Sequence, residues 1–381
     1  MNIAIFNLKF SNNVGDGIIA ETTEYLLGGL AENTKVHTLD LGGRTEYGGV
    51  GIKAPSVFKN MVATSLKYLP SQLSDNLRQK LTHIFLKRDA LPMWRDVLGN
   101  SDRLVIGGGH LISDAELYFP IRLHALMTLA KEMKKPVYLH AVGVSNPDYF
   151  SPMGRKLFLD IFQNNPYLRY VSVRDELSRE HWLKIFGGEV DVVPDPGNFT
   201  RETYQSAADV APQAGVIGVG VMASGLVTDD TPGNHQKVVL TPADYCALGI
   251  QLLNRGFTPL FFTNGSPADE VVLNTIRDDF SRADQAIFAD RPIKPEDLVK
   301  IIFRCEKIIA YRLHACIVAT SLGVPAIGLA WDKKLYSYFE SVGAEDRVIS
   351  NFKMDVVVDK LLSLKPLNID FSKAGYSNLI N

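Results

Sequence analysis

The chain has 381 residues, a formal net charge of −2 and 46% hydrophobic residues. This length is comfortable for two domains, each large enough to bury its own core. A net charge so close to zero argues against an extended nucleic-acid-binding surface, so we expect no nucleic acid among the partners.

The cysteines and the apolar segments indicate the compartment in which the protein works. Cys246, Cys305 and Cys316 stand far apart without CxxC spacing. That pattern disfavours a zinc site or a disulfide framework and fits a reducing cytosol, so we expect no bound metal. No apolar run reaches membrane-spanning length, and the N-terminus lacks a basic region followed by a long apolar core. The sequence therefore predicts a cytoplasmic protein.

A polar, glycine-bearing loop follows the first predicted strand. It runs from Asn7 to Gly17 and precedes a helix predicted near Ile18 to Leu30. Within it, Asn13, Gly15 and Asp16 are candidates for a ligand contact, because such a loop brings backbone N–H groups close to a bound group. An ordinary capped turn is the alternative.

The segment 56–98 has a helical pattern with an excess of basic residues. Two interpretations are open. The helices pack on the sheet and keep a solvated basic side, or the segment rests on a membrane surface or holds a lipid-linked substrate. The pattern favours the first. The basic residues are Lys59, Lys67, Arg78, Lys80, Lys87 and Arg88.

A run of three glycines follows a buried strand within Arg103 to Asp114. Gly108 and Gly109 mark a place where the backbone bends sharply or approaches a ligand closely. The run is not a dinucleotide GxGxxG motif. No helix begins directly after it with the acidic ribose-binding residue in place, so a nicotinamide enzyme is disfavoured. His110 is a candidate for acid/base chemistry or, alternatively, a hydrogen-bonded structural residue.

Arg174 stands between a predicted strand and a helix that ends at Gly187 and Gly188. Asp175 and Glu176 already satisfy the positive end of the helix. Arg174 is therefore either a salt-bridge partner of a neighbouring carboxylate or a ligand-binding cation. The parallel with a second arginine, described next, favours the ligand role.

The segment from Lys307 to Ala330 predicts a strand, a helix and a second strand. In such a βαβ unit the turn after the first strand lies at the carboxyl edge of the sheet, where these folds bind ligands. Arg312 and His314 occupy that turn. Because a helix start prefers acidic residues, an arginine there indicates a bound anion that it shares with the backbone N–H groups.

Repeated strand–helix pairs in both halves of the chain predict an α/β fold. We expect two doubly wound, Rossmann-like domains that face each other across a cleft, as in GT-B proteins. The predicted bounds are an N-terminal domain at 1–200, with the helical insertion at 56–98, a linker at 201–215, a C-terminal domain at 216–365 and a tail at 366–381.

These motifs, in this order, resemble those of the polysaccharide pyruvyl transferase family. Members of that family move a pyruvyl group from phosphoenolpyruvate onto sugar hydroxyls as a ketal. The resemblance spans most of the chain and rests on Asn13-Val-Gly-Asp16, Val105-Ile-Gly-Gly-Gly109, Ser172-Val-Arg-Asp175, Asp195-Pro196, Arg312-Leu-His314, Leu322-Gly-Val-Pro325 and Trp331-Asp-Lys-Lys334.

The resemblance implies which residues hold the donor. In the family, the arginine after the Ser-x-Arg-Asp strand and the Arg-Leu-His trio are associated with it, which implicates Arg174, Arg312, Leu313 and His314. Family members usually carry Tyr-Asp-Pro-Lys where this chain has Trp331-Asp-Lys-Lys334. Asp332 and Lys334 are retained, and we count Lys334 with the donor residues and Asp332 with the candidates. The family also has Gly-Pro where this chain has Gly143-Val144.

The expected chemistry uses phosphoenolpyruvate as donor substrate and no other cofactor. Planar guanidinium groups grip carboxylates and phosphates in bidentate fashion, so Arg174 from one domain and Arg312 from the other would clamp the donor. His314 would be the general acid/base. The expected acceptor is a saccharide, free or lipid-linked, in exopolysaccharide or cell-surface glycan synthesis, with the enzyme in the cytoplasm or at the inner face of the membrane.

Two other functions are consistent with the same pattern. Facing α/β domains also serve GT-B-type glycosyltransferases and nucleotide-sugar epimerases, because a fold does not fix a function. A non-catalytic scaffold of a glycan-assembly complex is the second alternative.

Overall fold

The computed structural model describes residues 1–30, 33–49, 71–205, 212–224 and 237–379. The chain forms two compact units that are not contiguous in sequence. Unit 1 comprises Met1–Ser11, Thr23–Asp195 and Ser372–Asn381, and unit 2 comprises Asn12–Thr22 and Pro196–Phe371. Of the predicted linker, residues 206–211 lie outside the described part of the chain.

Unit 1 contains a six-stranded parallel sheet in the order β2-β1-β3-β4-β5-β6. Strand β1 pairs with β2 on one side and with β3 on the other, so the direction in which strands are added to the sheet reverses at β1. The strands are β1 (Asn2–Asn7), β2 (Lys35–Asp40), β3 (Arg103–Gly107), β4 (Val137–Val142), β5 (Leu168–Val173) and β6 (Asp191–Val192). The accompanying helices are the C-terminal part of α1 (Val14–Gly29), whose residues up to Thr22 belong to unit 2, and α2 (Ser71–Phe85), α3 (Leu91–Gly99), α4 (Tyr118–Glu132), α5 (Pro152–Phe162) and α6 (Glu176–Phe186).

Unit 2 repeats the plan with a six-stranded parallel sheet in the order β12-β11-β10-β7-β8-β9. Its strands are β7 (Val216–Gly220), β8 (Thr258–Phe262), β9 (Ile287–Phe288), β10 (Lys307–Ala310), β11 (Ala326–Leu329) and β12 (Val348–Ile349). The helices are α7 (Thr200–Thr203), α8 (Pro242–Asn254), α9 (Pro267–Asp279), α10 (Pro295–Phe303), α11 (Leu313–Leu322), α12 (Lys333–Ser341) and α13 (Met354–Ser363). A last short helix, α14 (Ala374–Ser377), belongs to unit 1.

Alternation along β10 shows why this sheet is covered on both faces. Ile308 and Ala310 belong to one buried cluster, whereas Ile309 belongs to a second. Successive side chains of a strand point to opposite faces, so the two clusters are the two faces of the sheet. Near-continuous apolar strands buried on both faces are typical of doubly wound folds, and the predicted Rossmann-like class is confirmed for both sheets.

Helix α1 begins earlier than the sequence predicts. It starts at Val14, so Gly15 and Asp16 lie in its first turn and the predicted loop to Gly17 is wrong by four residues. The backbone N–H of Val14 donates to the Asn264 carbonyl oxygen at 2.9 Å. A tertiary contact of this kind fixes the helix start and leaves no local signal.

The predicted helical insertion is partly described. Its C-terminal part is α2, a five-residue π-helical turn and α3, which buries Trp94 edge-on against Phe6 at 5.3 Å between ring centroids. By contrast, Leu77 and Ile84 on α2 are 38% and 60% exposed. Residues 56–70, with Lys59 and Lys67, lie outside the described residues, as does the side chain of Arg78.

The end of the chain is anchored in unit 1. Tyr376 is buried with its ring 4.4 Å from that of His140, and Arg103 donates from Nη1 to the Leu379 carbonyl oxygen at 2.6 Å. Burial lowers the pKa of His140 to about 3, so this core histidine is neutral. In the described ranges, none of the helices combines the length and apolarity needed to cross a bilayer.

Two glycine-to-alanine substitutions should have opposite effects on stability. A Cβ at Gly249 would lie 2.7 Å from the Phe261 ring, and Gly249→Ala is expected to destabilise unit 2 by about 1–3 kcal/mol through overpacking. A Cβ at Gly28 would meet nothing within 4 Å, and Gly28→Ala is expected to stabilise α1 by about 0.5–1 kcal/mol. Thermal unfolding of both variants checks this. Equal melting temperatures would contradict the close contact between Gly249 and the Phe261 ring.

Candidate functional site

The start of α11 lies at the carboxyl edge of the unit 2 sheet. Strand β10 ends at Ala310, Arg312 is the N-cap in an extended conformation, and Leu313 is the first helical residue. The helix is almost wholly buried, from Ala315 to Leu322. Because its body is fixed in the core, its first N–H groups and the side chains of Arg312 and His314 are presented at the sheet edge.

Arg312 is held by a buried carboxylate. Its Nε and Nη2 donate to one oxygen of Asp269 at 3.0 and 2.6 Å, and Asp269 is fully buried. The other carboxylate oxygen accepts from the Ala223 N–H at 2.9 Å. Asp269 sits in the first turn of α9 after β8, so it ties together the ends of β7, β8 and β10. The Arg312 side chain remains 18% exposed.

His314 lies against the first turn of α1. Its Nδ1 is 3.7 Å from a carboxylate oxygen of Asp16. A Cβ added at Gly15 would stand 2.6 Å from the Cβ of His314, so only glycine allows this approach. Asn13 belongs to the same unit and directly precedes the helix. The structure therefore brings the predicted Gly15 and Asp16 together with the predicted His314.

Lys334 and Asp332 follow the neighbouring strand, β11. The Asp332 carboxylate caps α12 by accepting from the Lys334 N–H at 3.0 Å, and its second oxygen is 3.0 Å from the Lys334 ammonium. Trp331 donates from its indole nitrogen to the Tyr311 carbonyl oxygen at 2.8 Å, which ties this loop to the one that carries Arg312. Both loops thus leave adjacent strands at the same edge.

A second group of predicted residues converges on Gly143 in unit 1. A Cβ at Gly143 would lie 2.5 Å from Nδ1 of His110 and 3.0 Å from the guanidinium of Arg174. His110 also shares a 2.6 Å hydrogen bond with Ser145 through Nε2. Gly108 and Gly109 have φ values of +71° and +85°, which only glycine adopts easily. The glycine run thus shapes the backbone that places His110.

Arg174 is more deeply buried than Arg312. Only 3% of its side chain is exposed, and it lies 3.4 Å from a carboxylate oxygen of Asp175 and 3.3 Å from one of Asp195. The salt bridge that the sequence left open is therefore formed. The donor-binding role of Arg174 stays a prediction.

The sequence alone did not predict Asp269 as a site residue. It lies in Pro267-Ala-Asp-Glu270, in the first turn of a helix, where acidic residues are common because they interact favourably with the helix dipole. Its role depends on a contact with Arg312, 43 residues further along the chain. No local sequence pattern predicts such a pair.

An open cavity of about 420 Å³ lies on the surface of unit 1 between α2, α4 and α5. Three aliphatic side chains line it, namely Ile84, Ile121 and Leu157, together with Lys80 and Lys87. Gln79, His83 and His124 complete the wall, and burial lowers the pKa of both histidines. This surface combines apolar and cationic groups.

A family model for polysaccharide pyruvyl transferases matches residues 13–333, which include both groups of site residues except Lys334. The chain belongs to this family. It is therefore a transferase of polysaccharide biosynthesis, and the family implies a saccharide acceptor. No curated protein matches the sequence.

Two solved structures with a similar fold contain UDP. The Methanocaldococcus jannaschii UDP-GlcNAc 2-epimerase in complex with UDP-GlcNAc and UDP is 13% identical, with a TM-score of 0.55 over 100% of this chain and 98% of that one. S. aureus MnaA with UDP is 9% identical, with a TM-score of 0.53 over 99% and 90% of the two chains. At these identities the likeness shows the fold, a GT-B type with two Rossmann-like domains.

Asp269→Asn tests whether the buried carboxylate holds Arg312. The variant should lose about 1.5–3 kcal/mol of stability, because a charge-assisted hydrogen bond is replaced by a weaker one beside a guanidinium. The control is Asp359→Asn, which removes an exposed pair with Arg255 and should change stability by less than about 0.5 kcal/mol. Thermal unfolding measures both, and similar losses in the two variants would contradict the assignment.

Proposed function

We propose that this transferase moves the pyruvyl group of phosphoenolpyruvate onto two hydroxyls of a saccharide as a ketal and releases phosphate. The observation that carries the proposal is the start of α11. A cation fixed by Asp269 and a histidine beside a carboxylate share one helical turn there. That arrangement suits a small anion that must be both held and protonated.

Arg312 would hold the donor together with backbone N–H groups. A guanidinium carries five N–H donors, and Asp269 engages those of Nε and Nη2. The remaining donors are available for a carboxylate or phosphate. The first N–H groups of α11 lack intrahelical acceptors and favour negative charge, and Lys334 adds an ammonium from the next strand end.

The reaction needs protons moved in both directions. The methylene carbon of the donor gains a proton, one sugar hydroxyl attacks the neighbouring carbon, and the carbon–oxygen bond to phosphate breaks. The second hydroxyl then completes the ketal. Of the two hydroxyl protons, one balances the proton added to carbon and the other leaves with phosphate. His314 would carry protons between these atoms, and the Asp16 carboxylate at 3.7 Å would stabilise its imidazolium form.

The alternative enzyme classes differ in the donor. A nucleotide-sugar epimerase or a GT-B-type glycosyltransferase shares this fold and would bind a nucleotide sugar. A non-catalytic scaffold would bind neither donor productively. The pairing of His314 with Asp16 favours a catalytic site over a scaffold, because it places a titratable side chain beside an anion-binding turn.

The predicted membrane contact, and with it a location at the inner face of the membrane, stays a prediction. The cavity beside α2 supports it, since Lys80 and Ile84 of α2 and Lys87 of the following π-helical turn line it. Leu77 on α2 is also exposed, and this composition suits an anionic bilayer. Co-sedimentation with anionic but not neutral vesicles would support the contact, and equal recovery with both would contradict it.

Substitutions at the α11 start should separate binding from chemistry. His314→Gln is expected to lower kcat about 10²- to 10⁴-fold, the usual contribution of a general acid/base. Arg312→Gln is expected to raise KM for phosphoenolpyruvate at least about tenfold, because a charge-assisted contact is lost. The assay mixes phosphoenolpyruvate with candidate glycosides and measures phosphate release and ketal formation.

The matched control is Arg255→Gln, which changes an exposed arginine of the same unit and should leave both parameters unchanged. Unchanged turnover in His314→Gln would contradict the assigned chemistry. Saturable binding of UDP-GlcNAc without any effect of phosphoenolpyruvate would instead favour a nucleotide-sugar enzyme.

A further inference from the structure

A cluster of charged side chains lies where β1 and β2 end in unit 1, apart from the residues assigned to the donor. Its centre is Asp40, the fully buried last residue of β2. The carboxylate accepts from the Gly42 N–H at 2.6 Å, from the Phe10 N–H at 2.9 Å and from Nε of Arg44 at 3.1 Å. Both carboxylate oxygens are therefore already engaged.

Arg122 adds a second guanidinium beside this occupied carboxylate. The residue is only 9% exposed, its guanidinium carbon lies 3.7 Å from the centroid of the Tyr118 ring, and its Nη1 donates to the Tyr118 carbonyl oxygen at 3.1 Å. Nε of Arg122 has no acceptor among the described residues. Burial lowers the pKa of Arg122, and Arg44 lowers it further, while Asp40 raises it.

The balance of charge in this cluster is positive. Arg44 forms the ion pair with Asp40, and the stack on Tyr118 offsets only part of the cost of burying Arg122 as a second cation. A buried cation of this kind is stabilised when an anion joins it. Asp40 is the carboxylate that acts on both guanidiniums, through the ion pair with Arg44 and a favourable Coulomb interaction with Arg122.

The backbone around the cluster brings its hydrogen-bond donors together. A Cβ at Gly42 would lie 2.7 Å from the Tyr118 hydroxyl and 3.0 Å from Nη2 of Arg44, so glycine keeps these two donors close together. Glu116 and Leu117, directly before α4, both have positive φ values of 50° and 63°. Non-glycine residues in this region are strained, and such strain concentrates at functional sites.

We propose that Arg44, Arg122 and the Tyr118 hydroxyl bind a carboxylate or phosphate group carried by the saccharide acceptor. Arg44 is reachable, with 14% of its side chain exposed. The rings of Phe10 and Tyr47 lie 5.0 Å apart next to the cluster and offer an aromatic surface for the sugar. The inference rests on the proposed transfer to a saccharide and names the acceptor as an anionic one.

The sheet order places this subsite close to the glycine run and His110, which follow β3. Strands β2, β1 and β3 are neighbours, and parallel strands are spaced by about 4.8 Å. The end of β2 is therefore about 10 Å from the end of β3, where the glycine run and His110 begin. One or two sugar rings bridge that separation.

The test measures binding of sugars to the full chain in the absence of phosphoenolpyruvate. Isothermal titration compares glucuronate and glucose 1-phosphate with methyl glucoside and with inorganic phosphate. The wild-type protein should bind the anionic sugars at least about tenfold more tightly than the neutral one. Arg44→Gln should weaken that binding about 10- to 100-fold, the effect of losing one charge-assisted contact.

Arg95→Gln is the matched control, since Arg95 is an exposed arginine of unit 1 paired with Glu132. It should bind as the wild type does. Arg44→Lys separates binding from folding, because it keeps the charge and should restore part of the affinity. Melting temperatures with and without glucose 1-phosphate show whether Arg44→Gln still folds, and a folded variant should have lost the ligand-induced rise.

Three results would overturn the inference. They are equal affinity for neutral and anionic sugars, unchanged affinity in Arg44→Gln, and binding of inorganic phosphate as tight as that of glucose 1-phosphate, which would indicate a site for the free anion. Failure of the proposed donor chemistry is distinguishable. In that case His314→Gln would leave turnover unaltered while the Arg44-dependent binding of anionic sugars persisted.

Discussion

The ion pair between Arg312 and Asp269 is the interaction on which the candidate site depends. Asp269 is fully buried and accepts from two chain segments at once, the Arg312 guanidinium and the Ala223 N–H. Since these groups follow different strands of one parallel sheet, the carboxylate fixes the loops after β7, β8 and β10 relative to each other. A cation at a helix start would otherwise be repelled by the dipole, and Asp269 offsets that repulsion. The pair thus keeps a guanidinium at the start of α11, beside the first N–H groups of the helix.

The two arginines first grouped together from the sequence differ in their surroundings. Arg174 is enclosed between two carboxylates with 3% of its side chain exposed, whereas Arg312 has one carboxylate partner and 18% exposure. A cation already neutralised by two buried anions gains less from a third. Arg312 is accordingly the stronger candidate for direct contact with the donor, and Arg174 is placed to orient the loops around Gly143 and His110. In both units the candidate side chains lie at the carboxyl ends of parallel strands, where folds of this class bind ligands.

Much of this organisation could be predicted from the sequence. The strand, helix and strand predicted from Lys307 to Ala330 are found as β10, α11 and β11, and Gly323, with a φ of +77°, ends α11. The link between His314 and the first turn of α1 could not be predicted, because it joins segments almost 300 residues apart. The same holds for Asp269, for the start of α1, and for Tyr376 and Leu379, whose side chains return the end of the chain to unit 1. Local sequence patterns depend on residues that are close in sequence, whereas these are tertiary contacts between distant segments.

The most direct test of the account is a crystal structure of the protein with phosphoenolpyruvate bound. The account predicts that the carboxylate or phosphate of the donor lies within about 3 Å of the Arg312 guanidinium and the first N–H groups of α11, with the Asp269 pair intact and His314 beside the methylene carbon. A donor bound away from Arg312, or a nucleotide sugar that occupies this turn in its place, would contradict it.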